Sequence, residues 1–287
     1  MIQIKNLSKY YGKSKALDDL NITISKGEAA ALWGSNGAGK TTLIRCLLGV
    51  IPFRGEITID NKNLITDDKA IKRLIGFIPQ EISLHDNLTV EETLNFYSQL
   101  KKTQVTDIGE WMVILDIKNF EKKLVKELSG GMKQKLALAI ALLGHPPILL
   151  LDEPTANLDI KSRDDFLHLL TLLKKEGKTI LSSSHRIEEV LSFADRVLVL
   201  DNGKLIADAP PMEIYKRFGK NGTLKIFINP SLFENALSLL TREGYQSYRN
   251  GKGILVKVDP DLKIEPIKIL LKQGISIENF DYEVELF

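Results

Sequence analysis

The feature that most constrains the fold is a glycine-rich stretch between an apolar run and a helical pattern. Residues 34–42 read GSNGAGKTT and lie between EAAALW and LIRCLLG. They fit the pattern G-x-x-x-x-G-K-[ST] with Gly34, Gly39, Lys40 and Thr41, in the strand-to-helix context of a phosphate-binding loop. Glycine has no Cβ and therefore lets backbone amides approach phosphate oxygens closely. The stretch predicts an α/β domain with a P-loop, and an incidental glycine-rich turn is the alternative.

The same stretch predicts how a nucleotide is held. The following helix, predicted from about Thr41 to Leu48, points its N-terminal amides at the phosphates. Lys40 is expected to reach the β and γ phosphates, and the Thr41 hydroxyl to bind Mg²⁺, which prefers oxygen ligands. The predicted nucleotide-binding residues of this loop are Gly34, Ser35, Asn36, Gly37, Ala38, Gly39, Lys40, Thr41 and Thr42.

Residues 146–159, PPILLLDEPTANLD, contain an apolar run that ends in two acids. A buried parallel strand delivers such acids at its carboxyl end, the sheet edge on which a P-loop also lies. Asp152 is therefore predicted to bind Mg²⁺ through its coordination shell, and Glu153 is predicted to orient and activate the attacking water. Two acids at a solvated strand end are the alternative, which a neighbouring P-loop makes less favourable.

Between these elements lies LSGGMKQKLALAIALL, residues 128–143, in which Ser129, Gly130 and Gly131 open an apolar helical pattern. They predict a second helix N-terminus that can bind an anion. With LSGG, the chain resembles the nucleotide-binding subunits of ATP-binding cassette (ABC) transporters. The resemblance implies a P-loop NTPase core of the ABC type, with a mixed central sheet, an N-terminal antiparallel sheet and a helical subdomain. It also implies a head-to-tail dimer, expected to be a homodimer, in which this signature faces the ATP of the second subunit.

Further positions match the family in order along about the first 219 residues. Tyr11, in KYYGKSKAL, matches the aromatic residue that stacks on adenine, and Ala16 lies near it. Tyr10 as the stacking residue, or a core role for either tyrosine, remains an alternative.

Three positions match the loops that complete the site in the family. Gln80, in IGFIPQE, matches the glutamine that reaches Mg²⁺ and the water. Asp159, in ANLD, matches the residue that contacts the opposite subunit, and His185, in ILSSSH, matches the histidine that hydrogen-bonds the γ phosphate. The resemblance thus implies a catalytic set of Glu153, His185, Lys40 and Gln80, and a metal-binding set of Thr41, Gln80 and Asp152.

The chain is predicted to contain two domains. Residues 1–219 form the ATPase domain, with a helical subdomain at about 81–144. Residues 220–287 then alternate as βαββαβ, which predicts a small α+β domain of the ferredoxin-like kind. A ligand-sensing role and a dimer-bracing role for this second domain both remain open.

Charge and hydropathy limit the partners. Thirty-nine basic and 37 acidic residues leave a net charge of +2, so no nucleic-acid partner is expected. The N-terminus lacks a signal-peptide core and no apolar run reaches 18 residues, so a cytoplasmic location is expected. The resemblance adds ATP and Mg²⁺ as cofactors and an integral membrane permease as partner. A single cassette with a C-terminal tail of this size loosely resembles the ABC-2 type export group and the ATPase of nitrous oxide reductase copper maturation. A soluble ABC ATPase acting on ribosomes or DNA is the alternative.

Overall fold

The computed structural model describes residues 1–218, 222–251, 253–259 and 262–284. It divides into two compact units, Met1–Ala209 and Pro210–Phe287. The division falls before a short helix, Pro211–Phe218, whereas the sequence places the domain boundary after it.

The first unit contains two sheets and a set of helices. Its strands are β1 Ile2–Tyr11, β2 Ser14–Ile24, β3 Ala29–Trp33, β4 Arg54–Ile59, β5 Lys62–Asn63, β6 Ile75–Ile78, β7 Ile148–Leu151, β8 Thr179–Ser184, β9 Arg196–Asp201 and β10 Lys204–Ala209. Its helices are α1 Lys40–Leu47, α2 Asp68–Lys72, α3 Val90–Lys101, α4 Gly109–Ile114, α5 Gly130–Leu142, α6 Ile160–Lys175 and α7 Ile187–Phe193.

The central sheet has the order β10-β9-β3-β8-β7-β6, and all its strands are parallel except β10. Its middle strands are apolar runs such as AAALW in β3 and ILLL in β7, and every residue of these two strands is buried. Such runs are typical of strands that are covered on both faces. The carboxyl ends of β3, β7 and β8 therefore meet at one edge of the sheet, where the P-loop begins.

The N-terminal sheet is antiparallel, with the order β2-β1-β4-β5. Alternating patterns over residues 2–7 and 20–24 predict two strands. Strands β1 and β2 extend beyond these ranges, because they stay paired through irregular steps up to Tyr11 and Ser14. This extension places Tyr10, Tyr11 and Ala16 at the closed end of a hairpin.

Thr89 and Glu92, three residues apart in TVEETLNFYSQL, predict a capping box, and helix α3 begins there. The Thr89 hydroxyl accepts a hydrogen bond from the Glu92 amide at 3.1 Å, and the Glu92 carboxylate accepts one from the Thr89 amide at 2.8 Å. These bonds satisfy two amide donors that a helix start would otherwise leave free. At the other end of α3, Lys101 donates to the Ile140 carbonyl oxygen at 2.7 Å, which joins α3 to the last turn of α5.

The second unit is a four-stranded antiparallel sheet with helices on one face. Its elements are α8 Pro211–Phe218, β11 Gly222–Ile228, α9 Phe233–Arg242, β12 Gln246–Asn250, β13 Gly253–Val258, α10 Glu265–Lys272 and β14 Ile277–Val284. The sheet order β12-β13-β11-β14 is that of a ferredoxin-like βαββαβ fold, so the predicted fold class is confirmed. Its core is apolar and includes Leu224, Ile226, Phe233, Leu240 and Ile254.

No helix within the described residues combines the length and the apolar character that a bilayer span requires.

Candidate functional site

The P-loop joins the end of β3 to the start of α1. Gly39 precedes the helix with φ +109°, and a Cβ at this position would lie 2.8 Å from the Ala16 carbonyl oxygen. Only glycine accepts both the left-handed backbone and this close approach. The turn at Asn202 and Gly203 contacts the loop, because the Gly203 amide donates to the Ala38 carbonyl oxygen at 3.0 Å.

A cavity of about 320 Å³ opens above this loop. Most of the predicted P-loop residues line it, together with residues from three other segments. The lining residues are Ala16, Asn36, Gly37, Gly39, Lys40, Thr41, Thr42, Gln80 and Glu153. Gly34 and Ala38 are buried beneath the loop, and Ser35 is exposed at its turn.

Lys40 is 5% exposed and uses its ammonium group for three contacts. It donates to the carbonyl oxygens of Gly34 at 2.8 Å and Ser35 at 3.1 Å. The third contact is an ion pair with Glu153 Oε1 at 3.2 Å. An ammonium has three donors, so the group is fully occupied by the loop and by the predicted catalytic carboxylate.

Asp152, at the end of β7, lies against the start of α1. Its Oδ1 accepts hydrogen bonds from the Thr41 hydroxyl at 3.1 Å and from the Ser183 hydroxyl at 2.8 Å. Gln80 lines the P-loop cavity and also a neighbouring groove that Asp152 lines. A hydroxyl, a carboxylate and an amide oxygen are hard donors, so this set fits Mg²⁺, which takes few ligands from protein when phosphates supply the rest.

Glu153 occupies an unusual backbone conformation, with φ +45°. Its amide donates to the Ser183 hydroxyl at 2.8 Å, and its carboxylate lies between Lys40 and His185, whose Nδ1 is 3.3 Å from Oε2. The pKa of Glu153 is lowered, first by the imidazole of His185 and then by the Lys40 ammonium, while partial burial opposes the shift. The carboxyl is therefore held in its ionised form.

The neighbouring strand β8 supplies support that sequence reasoning missed. Ser182, Ser183 and Ser184 are all buried, and Ser183 bridges the Asp152 carboxylate and the Glu153 amide. The indole of Trp33 donates to the His185 carbonyl at 3.2 Å. Three serines in a wholly buried strand are the signal that could have revealed this role, because buried hydroxyls require partners.

The two tyrosines lie apart from the cavity lining. Tyr11 is 48% exposed, with the Lys9 ammonium 4.9 Å from its ring centre. Tyr10 lines a different groove, next to Pro52 and Arg54, and its ring faces the Arg54 guanidinium at 5.3 Å. Adenine stacking by Tyr11, with Tyr10 as the alternative, therefore stays a prediction.

The structure does not bring the LSGG residues into the P-loop cavity. Ser129 caps α5 by accepting from the Met132 amide at 3.3 Å. Ser129 and Gly131 line a separate pocket of about 120 Å³ beside α6, and a Cβ on Gly131 would come 2.7 Å from the Ser162 hydroxyl. Gly131 therefore lets α5 and α6 approach each other closely without a shift of the Ser162 side chain.

Asp159 lies outside the P-loop cavity and caps α6. Its carboxylate accepts hydrogen bonds from the Ser162 amide at 3.0 Å and the Ser162 hydroxyl at 2.7 Å. Both hydrogen bonds lower the pKa of Asp159, and the one from the Ser162 amide has the larger effect. Its predicted contact with an opposite subunit concerns a chain beyond the one described.

Comparison with known proteins identifies the family. The family model for "ABC transporter" matches residues 17–156. The bacitracin transport ATP-binding protein BcrA of Bacillus licheniformis is 39% identical over 225 residues, which cover 76% of this chain and 72% of that protein. The linearmycin resistance ATP-binding protein LnrL of Bacillus subtilis is 31% identical over 237 residues, covering 80% and 75%.

Solved structures agree with this assignment. A dimeric post-hydrolysis structure of the ATP-binding cassette MJ0796 bound to ADP and Pi matches with a TM-score of 0.65 at 28% identity, over 74% of this chain and 99% of that one. Two further relatives, at 36% and 34% identity, are much longer, and the chain spans only 5% and 33% of their lengths. The resemblance seen in the motifs is confirmed: the chain belongs to the ATP-binding proteins of ABC transporters, and Met1–Ala209 is an ABC-type ATPase cassette.

Proposed function

We propose that this chain is the ATP-hydrolysing subunit of an ABC exporter. It acts as a homodimer that binds two ATP molecules between its subunits, and it drives a separately encoded membrane permease from the cytoplasmic face. The observation that carries the proposal is that Lys40 and His185 both approach the carboxylate of Glu153, and that Lys40 and Glu153 line the P-loop cavity at the carboxyl edge of the central sheet.

Lys40 binds the phosphates by exchanging partners. Its three donors contact two loop carbonyls and Glu153, so a phosphate oxygen must replace at least one of them. Replacement of Glu153 is the productive exchange, because it frees the carboxylate at the moment when phosphate arrives. The two events are then linked by one ammonium group.

Glu153 then orients and deprotonates the attacking water. Its lowered pKa keeps the carboxylate ionised at neutral pH. The hydrogen bond from the Glu153 amide to the Ser183 hydroxyl fixes the backbone that carries this carboxylate. His185 is within reach of the same group and donates a hydrogen bond to the γ phosphate. Thr41, Asp152 and Gln80 would hold Mg²⁺, which neutralises charge on the phosphate oxygens when bound.

The second subunit completes the site. Ser129, Gly130, Gly131 and Asp159 lie outside the P-loop cavity of their own chain, at the starts of α5 and α6. An exposed helix start with a serine cap suits a phosphate presented by another molecule. A two-fold arrangement gives each ATP a P-loop from one chain and a signature from its partner.

Export is favoured by the names of two relatives. One concerns bacitracin transport and the other linearmycin resistance. Removal of an antibiotic from the cell accounts for resistance, whereas uptake does not. In such a transporter the permease holds the cargo path, so the cassette supplies only the ATP chemistry.

The test combines a trapped dimer with capture of its partner. Tagged Glu153→Gln protein is purified from detergent-solubilised membranes with ATP, and the captured proteins are identified by mass spectrometry. Glu188→Gln, an exposed acid on α7, is the matched control. We expect Glu153→Gln to elute as a dimer with ATP but not with ADP, and to carry a multi-span membrane protein.

Two outcomes would contradict the proposal. Wild-type turnover by Glu153→Gln would remove Glu153 from the catalytic role. Capture of ribosomal or DNA-repair proteins without a membrane protein would assign the chain to the soluble ABC ATPases instead.

A further inference from the structure

A buried carboxylate lies behind the proposed site, and no role described above uses it. Glu189 belongs to α7, and its side chain is 7% exposed. One of its oxygens, Oε2, accepts hydrogen bonds from the Thr155 hydroxyl at 2.8 Å and from the Ser184 hydroxyl at 2.7 Å. Both donors are themselves buried, so water does not compete strongly for these bonds.

These two bonds join the chain segments that carry the proposed catalytic groups. Thr155 follows Glu153 by two residues, and Ser184 immediately precedes His185. A single carboxylate oxygen therefore connects the turn after β7 with the end of β8. Glu189 has no atom in the P-loop cavity, so it can act on the reaction only through these neighbours.

The other oxygen of Glu189 faces a third segment. Oε1 lies 3.5 Å from Arg163 Nε, and Arg163 Nη2 donates to the Leu158 carbonyl oxygen at 3.4 Å. Leu158 immediately precedes Asp159 at the start of α6. The arginine thus connects Glu189 to the loop that we propose contacts the second subunit.

This third connection is loose. Within the described part of the chain, neither Arg163 Nε nor Glu189 Oε1 has a hydrogen-bond partner. Charge-assisted bonds between such groups normally measure about 2.7–2.9 Å. Two buried groups of opposite charge that face each other beyond this distance can gain a strong bond by a small movement of α6 relative to α7.

We propose that Glu189 is a positioning residue that links the loop 155–159 to the groups Glu153 and His185. The inference rests on the proposed function. A partner subunit that presses on Asp159 moves Leu158 and Arg163, and the closing Arg163 to Glu189 contact aligns Thr155 and Ser184. Alignment of reacting groups matters because a misplacement of about 1 Å can cost about 100-fold in rate.

The experiment measures steady-state ATP hydrolysis and ATP binding by full-length Glu189→Gln, with Glu188→Gln as control. Glutamine keeps the volume of the side chain but removes the charge that Arg163 faces and one of the acceptor oxygens. We expect kcat to fall at least about tenfold while KM and the Kd for ATP stay within about twofold, because only alignment is lost. Unchanged kcat, or a parallel loss of kcat and ATP binding, would overturn the positioning role.

A second pair of variants decides the matter if Glu189→Gln does not fold. Thr155→Val removes the hydroxyl that Glu189 accepts from, whereas Thr155→Ser keeps it. We expect a lower kcat for the valine variant and a nearly normal one for the serine variant, and equal values would overturn the inference. A wild-type protein without ATPase activity would overturn the proposed function as well, whereas an active wild type with normal variants would overturn only the role of Glu189.

Discussion

The two units of this protein both pack helices against a sheet, but they differ in the polar groups that they bury. In the described part of Met1–Ala209, seven of the twelve buried polar side chains lie near the carboxyl ends of the central strands: Lys40, Asp152, Thr155, Ser182, Ser183, Ser184 and Glu189. In the described part of Pro210–Phe287, only Thr223 is a buried polar residue. Burying a polar group is costly unless it finds partners. The contrast therefore separates a unit organised around a reaction from one whose interior serves stability.

The largest expected effect on ATP binding comes from removing the ammonium group of the first unit's polar cluster. Lys40→Ala removes the phosphate-binding ammonium and leaves Glu153 without its ion-pair partner. We expect the affinity for ATP to fall about 10- to 150-fold, the range for loss of a charge-assisted hydrogen bond of about 1.5–3 kcal/mol. Titration with a fluorescent ATP analogue measures this affinity. An unaltered affinity would contradict the view that the polar cluster of the first unit serves ATP binding.

The second unit should respond to core truncation in stability and not in chemistry. Leu240 on α9 is 0% exposed within the apolar core of that unit. Leu240→Ala is expected to lower its free energy of unfolding by about 2–5 kcal/mol. Calorimetry should show the destabilised transition, and the kcat for ATP should stay unchanged. A loss of kcat would instead show that the second unit contributes to catalysis.

Asp159 allows a helix cap to be separated from a contact with another subunit. Asp159→Asn keeps a side-chain oxygen for the Ser162 amide, whereas Asp159→Ala does not. We expect the alanine variant to lower the midpoint of thermal unfolding by roughly 2–4 °C and the asparagine variant to leave it unchanged. If Asp159 also contacts the partner subunit, both variants weaken ATP-dependent dimerisation, as measured by analytical ultracentrifugation. Equal midpoints for the two variants would argue against the cap.

The smallest effect concerns the single cysteine, which belongs to the core of the first unit and not to its site. Burial raises the pKa of Cys46 on α1 to about 11 from its ordinary value of 9.0. Between these values the unfolded thiol loses its proton while the folded one keeps it, so stability falls as pH rises. The loss is up to about 1 kcal/mol between pH 9 and 10. Urea unfolding of wild type and Cys46→Ala at both pH values measures this loss. An equal change in the free energy of unfolding for the two proteins between these pH values would contradict the prediction.

Much of the fold was predictable because its signals are local. The capping box at Thr89 and Glu92 depends on residues three positions apart, and the structure contains both of its hydrogen bonds. The βαββαβ order of the second unit follows from short alternating patterns, and the strand order agrees with it. The lengths of β1 and β2 were not predictable, because pairing through irregular steps depends on the partner strand.

Residue patterns alone were enough to predict the family, the P-loop with Lys40 and Thr41, and the two acids at the end of β7. Each is a contiguous motif whose chemistry depends on the conformation of a few neighbouring residues. Three features are visible only in the folded chain: Ser183 hydrogen-bonds with Asp152 and Glu153, Glu189 joins Thr155 to Ser184, and LSGG lies outside the P-loop cavity. The bonds of Ser183 to Glu153 and Asp152, and of Thr155 to Glu189, connect residues that are 30, 31 and 34 positions apart. Such contacts depend on which strands become neighbours in the sheet.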